Sequence, residues 1–210
     1  MKNILVVGAH YDDAELGAGG TMAKLSSQGC KVYKLTLTDN VTNFSHMNIH
    51  VDFDSSAMQS KKACEVLGAE EVYLKKPVEC STLEYKKEVM QEIEAIIFEK
   101  EIDTVIIHHN DDMNQDHIAA FKNCITAARH CKNILTYQSN GYILNEAFIP
   151  NYFVDISDFV ELKRKSLEQY GEEHNRFDRL FEMNIERCHM WGYSNKCEYA
   201  EGFRVIKMLG

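Results

Sequence analysis

The chain has 210 residues and a net charge of −9, with 45% apolar and 26% charged residues. That length and balance suit a single globular domain over residues 1–210 that needs no disulfide or metal merely to fold. The acidic balance argues against a nucleic-acid partner, which calls for a basic face.

The N-terminal stretch MKNILVVGAH has only four consecutive apolar residues, too few for a secretion signal. No run approaches the ~20 apolar residues of a membrane span, so a soluble cytoplasmic protein is expected. Seven cysteines are scattered without a Cys-x-x-Cys pair, which reads as reduced thiols rather than a disulfide framework or a cysteine-ligated zinc.

In chain order, NILVVGA is a first strand, a helix runs from about Leu16 to Ser27, and KVYKLTLT is a second strand. SAMQSKKACEVLG is a second helix stopped by Gly68, with the short strand EVYL after it. Ser81-x-x-Glu84 has the form of a capping box for a third helix, whose Val89, Ile93, Ile96 and Ile97 share one face. DTVIIHH is a buried fourth strand and DHIAAFKNCITAARH the helix after it. ILTYQS and YFVDI follow as strands, Asp158–Tyr170 has helical spacing, a further helix spans about Glu172 to His189, and GFRVIKML closes as a strand. Alternating strands and helices predict right-handed βαβ units and a mostly parallel sheet with helices on both faces.

The stretch VVGAHYDDAELGAGG begins like a nucleotide-binding turn. A dinucleotide fingerprint needs Gly-x-Gly-x-x-Gly in that turn, with an acid such as Asp39 further on. Here Gly17, Gly19 and Gly20 come too late, and Asp12 and Asp13 would repel a pyrophosphate. A metal suits the same residues. Open α/β sheets bind ligands at the carboxyl ends of their strands. His10 and Asp13 lie just past the end of the first strand and can share one borderline cation such as Zn²⁺. HHNDDMNQDHIAA, after the fourth strand, concentrates His108, His109, Asp111, Asp112, Asp116 and His117. In the common strand orders that segment lies across from the first strand, where His117 could supply the third ligand. Three ligands would leave a position open for water, as catalytic zinc sites do. Taken singly, Asp116 also reads as an N-cap, and the paired aspartates read as turn formers.

AHYDDAELGAGG with NQDH downstream resembles the PIG-L/LmbE-like family of zinc-dependent N-acetylglucosaminyl deacetylases, whose first motif is A-H-P-D-D-x-x-x-G-x-G-G. TLTD, EVLGA, FVDISDFVELKRKSLEQY and YAEGFRVIKM extend the resemblance over most of the chain. It implies a Rossmann-like three-layer α/β sandwich, with His10, Asp13 and His117 as ligands of Zn²⁺ or another divalent metal and Asp12 as general base. Three positions depart from the family pattern: Tyr11 replaces the usual proline, Ala14 precedes Glu15, and Asn114 stands where many members have a histidine. An asparagine can donate to an oxyanion but cannot shuttle a proton.

The implied reaction is removal of the acetyl group from an N-acetylated amino sugar or its conjugate, with Asn114 at the oxyanion and Asp116 orienting His117. Asp39, Asn40, Asn43, His109, Asp112, Tyr137 and Ser139 are candidates for substrate contact. Glu201 and Arg204 are read as structural, and Arg187 and His189 as helix-surface residues. Deacylation of a non-sugar amide, or a catalytically silent sugar- or nucleotide-binding protein, are the alternatives. Apolar helix faces near the C-terminus leave room for a homo-oligomer.

Overall fold

The computed structural model describes residues 1–47, 49–142, 144–171 and 180–209. Its elements are β1 (Asn3–Gly8), α1 (Asp13–Ser27), β2 (Lys31–Thr36), β3 (Thr42–Phe44), β4 (Ile49–Val51), α2 (Phe53–Leu67), β5 (Glu70–Val72) and α3 (Lys87–Glu99). They continue with β6 (Thr104–His108), α4 (Gln115–Ala127), β7 (Asn133–Tyr137), β8 (Tyr152–Asp155), α5 (Val160–Glu168), α6 (Glu182–Ser194) and β9 (Ala200–Lys207).

Among the described residues, seven strands form one sheet in the order β5-β2-β1-β6-β7-β9-β8. The first five are parallel, while β9 runs antiparallel to both β7 and β8. Strand order reverses between β1 and β6, which pair through Ile4–Thr104, Leu5–Val105 and Val6–Ile106. Ligands bind at such a switch point, outside the carboxyl ends of the strands.

The period-2 alternation of side chains explains the layers. Leu5, Val7, Val105 and Ile107 pack on one face with Ile93 and Ile97 of α3 and Ala120 and Cys124 of α4. Ile4, Val6, Ile106 and Leu135 point to the other face, against Ala14, Ala18 and Met22 of α1. Close approach of α1 depends on its glycines. A Cβ on Gly17 would lie 1.9 Å from Cδ2 of Tyr137, and one on Gly20 would lie 2.7 Å from Ile156.

Several expected boundaries move. The third helix begins at Lys87 with no side-chain cap, and Ser81 adopts φ +68° instead of capping. The cause is competition. Ser81 and Leu83 N–H donate to Asp116, and the Glu84 carbonyl accepts from Asn123, so this segment docks along α4. The hairpin β3–β4 was not expected, because three-residue strands carry no readable period. Of the helix expected over 172–189, residues 172–179 lie outside the described residues, and α6 begins only at Glu182. No helix among the described residues is long and apolar enough to cross a membrane.

Candidate metal centre and active site

β1 delivers the chain to a turn, Ala9 to Asp12, that opens α1. Gly8 permits the turn, since a Cβ there would lie 2.7 Å from the His10 carbonyl oxygen. The turn is anchored from beneath. The Tyr11 carbonyl accepts from Lys34 Nζ at 2.5 Å and from the Tyr170 hydroxyl at 2.6 Å. Both donors also reach Glu15 Oε1, at 2.6 and 2.9 Å. Lys34 and Glu15 are fully buried. Burial disfavours the Lys34 charge, but the carboxylate of Glu15 overcomes this and holds the ammonium above its ordinary range. Tyr11, in place of the family's proline, packs inward with Leu16, Ala63 and Leu167.

β6 delivers the second half of the site. Asn114 caps α4, its Oδ1 accepting from the Asp116 N–H at 2.9 Å, and His117 follows in the first turn. His10, Asp13 and His117 come together. His10 Nδ1 stands 3.3 Å from His117 Nε2 and 3.3 Å from Asp13 Oδ2, and His117 Nε2 stands 3.3 Å from Asp13 Oδ1. Donors held tetrahedrally at about 2.0–2.1 Å from one small cation are separated by about 3.3 Å. The separations suit a shared divalent ion, the two Asp13 edges ending on its two different carboxylate oxygens and one ligand atom from each residue lying within 4.8 Å of the others.

Each member of the triangle is held by a neighbour. His10 Nε2 lies 3.2 Å from Asp116 Oδ2, and His117 Nδ1 lies 2.9 Å from Asp112 Oδ2. With those N–H groups given to carboxylates, neutral rings turn their lone pairs toward a common point, the usual support of metal-binding imidazoles. Asp13 Oδ2 is 3.1 Å from His108 Nε2, and the His108 ring stacks on His117 with centroids 4.1 Å apart.

The electrostatics match a cation position. Burial opposes a charge on His117, but Asp13 and Asp112 raise its pKa to about 9. Burial likewise opposes a charge on His10, and Asp116 and Asp13 hold it well above the imidazole range. Burial would lift Asp13, yet His117 and His108 keep it well below the carboxylate range. His108 differs: burial and the neighbouring His117 push it down to about 4. Without a metal, protons supply the positive charge these carboxylates demand.

Asp12 occupies the N-cap position of α1 but makes no capping hydrogen bond. Its carboxylate lines the cleft beside Asn114, Asn40, Ser139 and Asn140. Asn114 turns its Oδ1 into the helix cap, which leaves its NH₂ available to the cleft.

The expected substrate contacts divide. Asn40 and Ser139 line the cleft, and the fully buried Ser139 Oγ has no partner among the described residues. Asp112, expected at the substrate, orients His117, while Asp116, expected to orient His117, is bonded to His10. His109 packs edge-on against Phe148 and is absent from the cleft wall, because it follows His108 on the opposite side of the strand end. Asp39 accepts from the N–H groups of Val41 and Cys80 and so shapes the loop. Asn43 is exposed on β3, and Tyr137 is buried with its hydroxyl on the Val7 carbonyl. Glu201 is structural, as expected: it accepts from Gly20 and Thr21 N–H and pairs with Lys163 at 2.6 Å. Arg187, read from sequence as a surface residue, donates to the carbonyls of Gln138, Ser139 and Asn140 and so holds one wall of the cleft.

A mostly parallel α/β sheet with His10, Asp13 and His117 gathered at its switch point gives a three-layer fold whose donor set is compatible with a divalent cation. Residues 5–128 match the family model PIG-L, described as GlcNAc-PI de-N-acetylase, and the chain belongs to that family of deacetylase enzymes. It is 26% identical over 175 residues to the uncharacterized deacetylase YaiS of Escherichia coli, spanning 80% of this chain and 90% of that protein. It is also 26% identical to the diacetylchitobiose deacetylase of Thermococcus kodakarensis, spanning 98% of this chain and 84% of that protein. The fold matches the 4-carboxy-2-hydroxymuconate hydratase GalB of Pseudomonas putida, with a TM-score of 0.83, 17% identity and coverage of 100% of this chain and 98% of that one.

Proposed function

We propose that this chain is a zinc-dependent N-deacetylase that hydrolyses the acetamido group of an amino sugar or amino-sugar conjugate to an amine and acetate. The carrying observation is the 3.3 Å triangle of His10, Asp13 and His117 beside an Asp12 that caps nothing. Two imidazoles and one carboxylate are the donor set of many catalytic zinc sites. When bound, the cation supplies Lewis-acid polarisation of the amide carbonyl and acidifies the attacking water.

The chain's own groups do the rest. Asp12 accepts the proton of the attacking water and returns it to the departing nitrogen, since amides expel amines only when protonated. The Asn114 NH₂ donates to the oxyanion of the tetrahedral species, a role open to an amide that cannot shuttle protons. Asp116 and Asp112 keep His10 and His117 in the required tautomers. Asn40, Ser139 and Asn140 offer partners for hydroxyl groups, while Leu16, Val51 and Tyr142 supply apolar wall, a mixture suited to a sugar ring. The relationship to a diacetylchitobiose deacetylase supports the same substrate class.

The test is zinc content combined with acetate release from acetamido sugars, non-sugar acetamides and an unsaturated acid. Zinc at one equivalent with acetate release confined to the sugars is the expected result. Turnover only of the non-sugar amides or of the unsaturated acid overturns the substrate assignment, and zinc-independent turnover overturns the mechanism.

A further inference from the structure

His10 has two faces, and only one belongs to the triangle. Its Nδ1 side looks toward Asp13 and His117, while Nε2 lies 3.2 Å from Asp116 Oδ2. On that second side stands the thiol of Cys80. Ligand atoms of His10, Cys80 and Asp116 all lie within 4.8 Å of one another. The thiol lines the same cleft as Asp12, with Sγ 3.7 Å from Thr42 Oγ1 and 3.8 Å from Ser81 Oγ.

The loop is built to hold the thiol there. Cys80 N–H donates to Asp39 Oδ1 at 2.9 Å, and Ser81 N–H donates to Asp116 Oδ2 at 2.7 Å. Ser81 adopts φ +68°, a conformation uncommon for a residue other than glycine, and these bonds secure it. Spacing in the sequence gave no sign of the cluster, because Cys80 reaches His10 through a loop and not through a Cys-x-x-Cys pattern.

We propose that His10, Cys80 and Asp116 form a second, inhibitory site for a thiolate-seeking divalent cation, sharing His10 with the first. A sulfur, a ring nitrogen and a carboxylate oxygen favour zinc, cobalt or cadmium and disfavour magnesium and calcium. Entry of this cation would release the thiol proton and the His10 Nε2 proton to solvent, making the thiol a thiolate and the His10 ring an imidazolate held from both nitrogens. The bond from His10 to Asp116 is then lost, and the added cation stands in the cleft that Asp12 lines, where it would draw on that carboxylate and obstruct the substrate. Excess zinc therefore inhibits.

This inference rests on His10 being a ligand of the first site, and the experiment separates the two. The metal-free protein is titrated with cobalt, then with zinc, while bound metal, near-ultraviolet absorption and alkylation of Cys80 by iodoacetamide are followed. The first equivalent is expected to bind without a thiolate charge-transfer band and to leave Cys80 open to alkylation. The second should bring the band, protect Cys80 at least tenfold and suppress deacetylation. In Cys80→Ser the first equivalent should persist, while the second equivalent, the band and the inhibition relative to that variant's own maximum all disappear. A single equivalent with no band and no protection of Cys80 overturns the second site and leaves the first intact. Equal inhibition of Cys80→Ser by excess zinc overturns it as well. Protection of Cys80 in the unmodified protein decides the matter even if the variant folds poorly.

Discussion

Asp112 Oδ2 stands 2.9 Å from His117 Nδ1, so this carboxylate aims the opposite ring nitrogen at the point where Asp13 and His10 converge. Removing such an orienting group typically lowers metal affinity 10- to 100-fold. Asp112→Ala is expected to weaken zinc binding by about that factor. Competition with a chelator of known affinity measures it. Unchanged affinity would return Asp112 to the substrate side of the cleft.

Asp12→Asn preserves shape and removes the proposed base. Turnover should fall by roughly 10² to 10⁴, the usual contribution of a general acid–base group, while zinc content stays at the unmodified level. Steady-state rates with metal analysis on the same sample check this. Loss of zinc alongside activity would make Asp12 a ligand.

The metal-free protein should show a pH signature from His117. Its pKa, raised to about 9 chiefly by Asp13 and Asp112 against the cost of burial, exceeds the ~6.5 of an unfolded histidine. Protonated His117 therefore stabilises the fold fully below about 6.5, and this contribution is lost as pH rises through about 9. Denaturant unfolding of chelated protein should show the stability gap between the parent and His117→Gln shrinking across that window. A pH-independent gap contradicts the assigned proton.

Lys34→Met leaves the Glu15 carboxyl without its ammonium in a fully buried position, where burial already raises its pKa. Breaking one partner of a buried pair costs about 3–5 kcal/mol, whereas replacing both with apolar groups is often close to neutral. Equilibrium unfolding should show a large loss for Lys34→Met and partial recovery when Glu15→Leu is added. Additive losses would mean the two residues act separately.

Gly17→Ala places a methyl group 1.9 Å from the Tyr137 ring, which its hydroxyl ties to the Val7 carbonyl at 2.9 Å. Overpacking of this kind costs about 1–3 kcal/mol or more. Thermal unfolding should show that penalty, and adding Tyr137→Leu should relieve part of it. A variant as stable as the parent would show that α1 can move away.

The parallel sheet and its flanking helices were legible because Ile4–Val7 and Val105–Ile107 alternate cleanly between two apolar layers. Gly68 also ended its helix as read, in the left-handed conformation at φ +67°. Ser81 misled because its capping pattern is local, while its backbone is claimed by Asp116, 35 residues away in sequence. The triangle could be proposed from spacing because both clusters end adjacent strands. Which carboxylate served which histidine could not. Asp112 and Asp116 lie on opposite sides of the turn into α4, and only the folded loop assigns the first to His117 and the second to His10. Arg187 escaped notice because a long side chain on a half-polar helix gives no sign of the carbonyls it will meet.

Lys34 and Tyr170 grip the Tyr11 carbonyl from buried positions, whereas the half-buried or exposed Asn40, Thr42 and Tyr142 line the cleft. Under the proposed function, holding the metal and choosing the substrate fall to different residues. Rim residues can be exchanged without loosening the turn that carries His10, Asp12 and Asp13. On that reading, a chain so divided can be turned to new acetylated substrates by changing its rim while its chemistry stays in place.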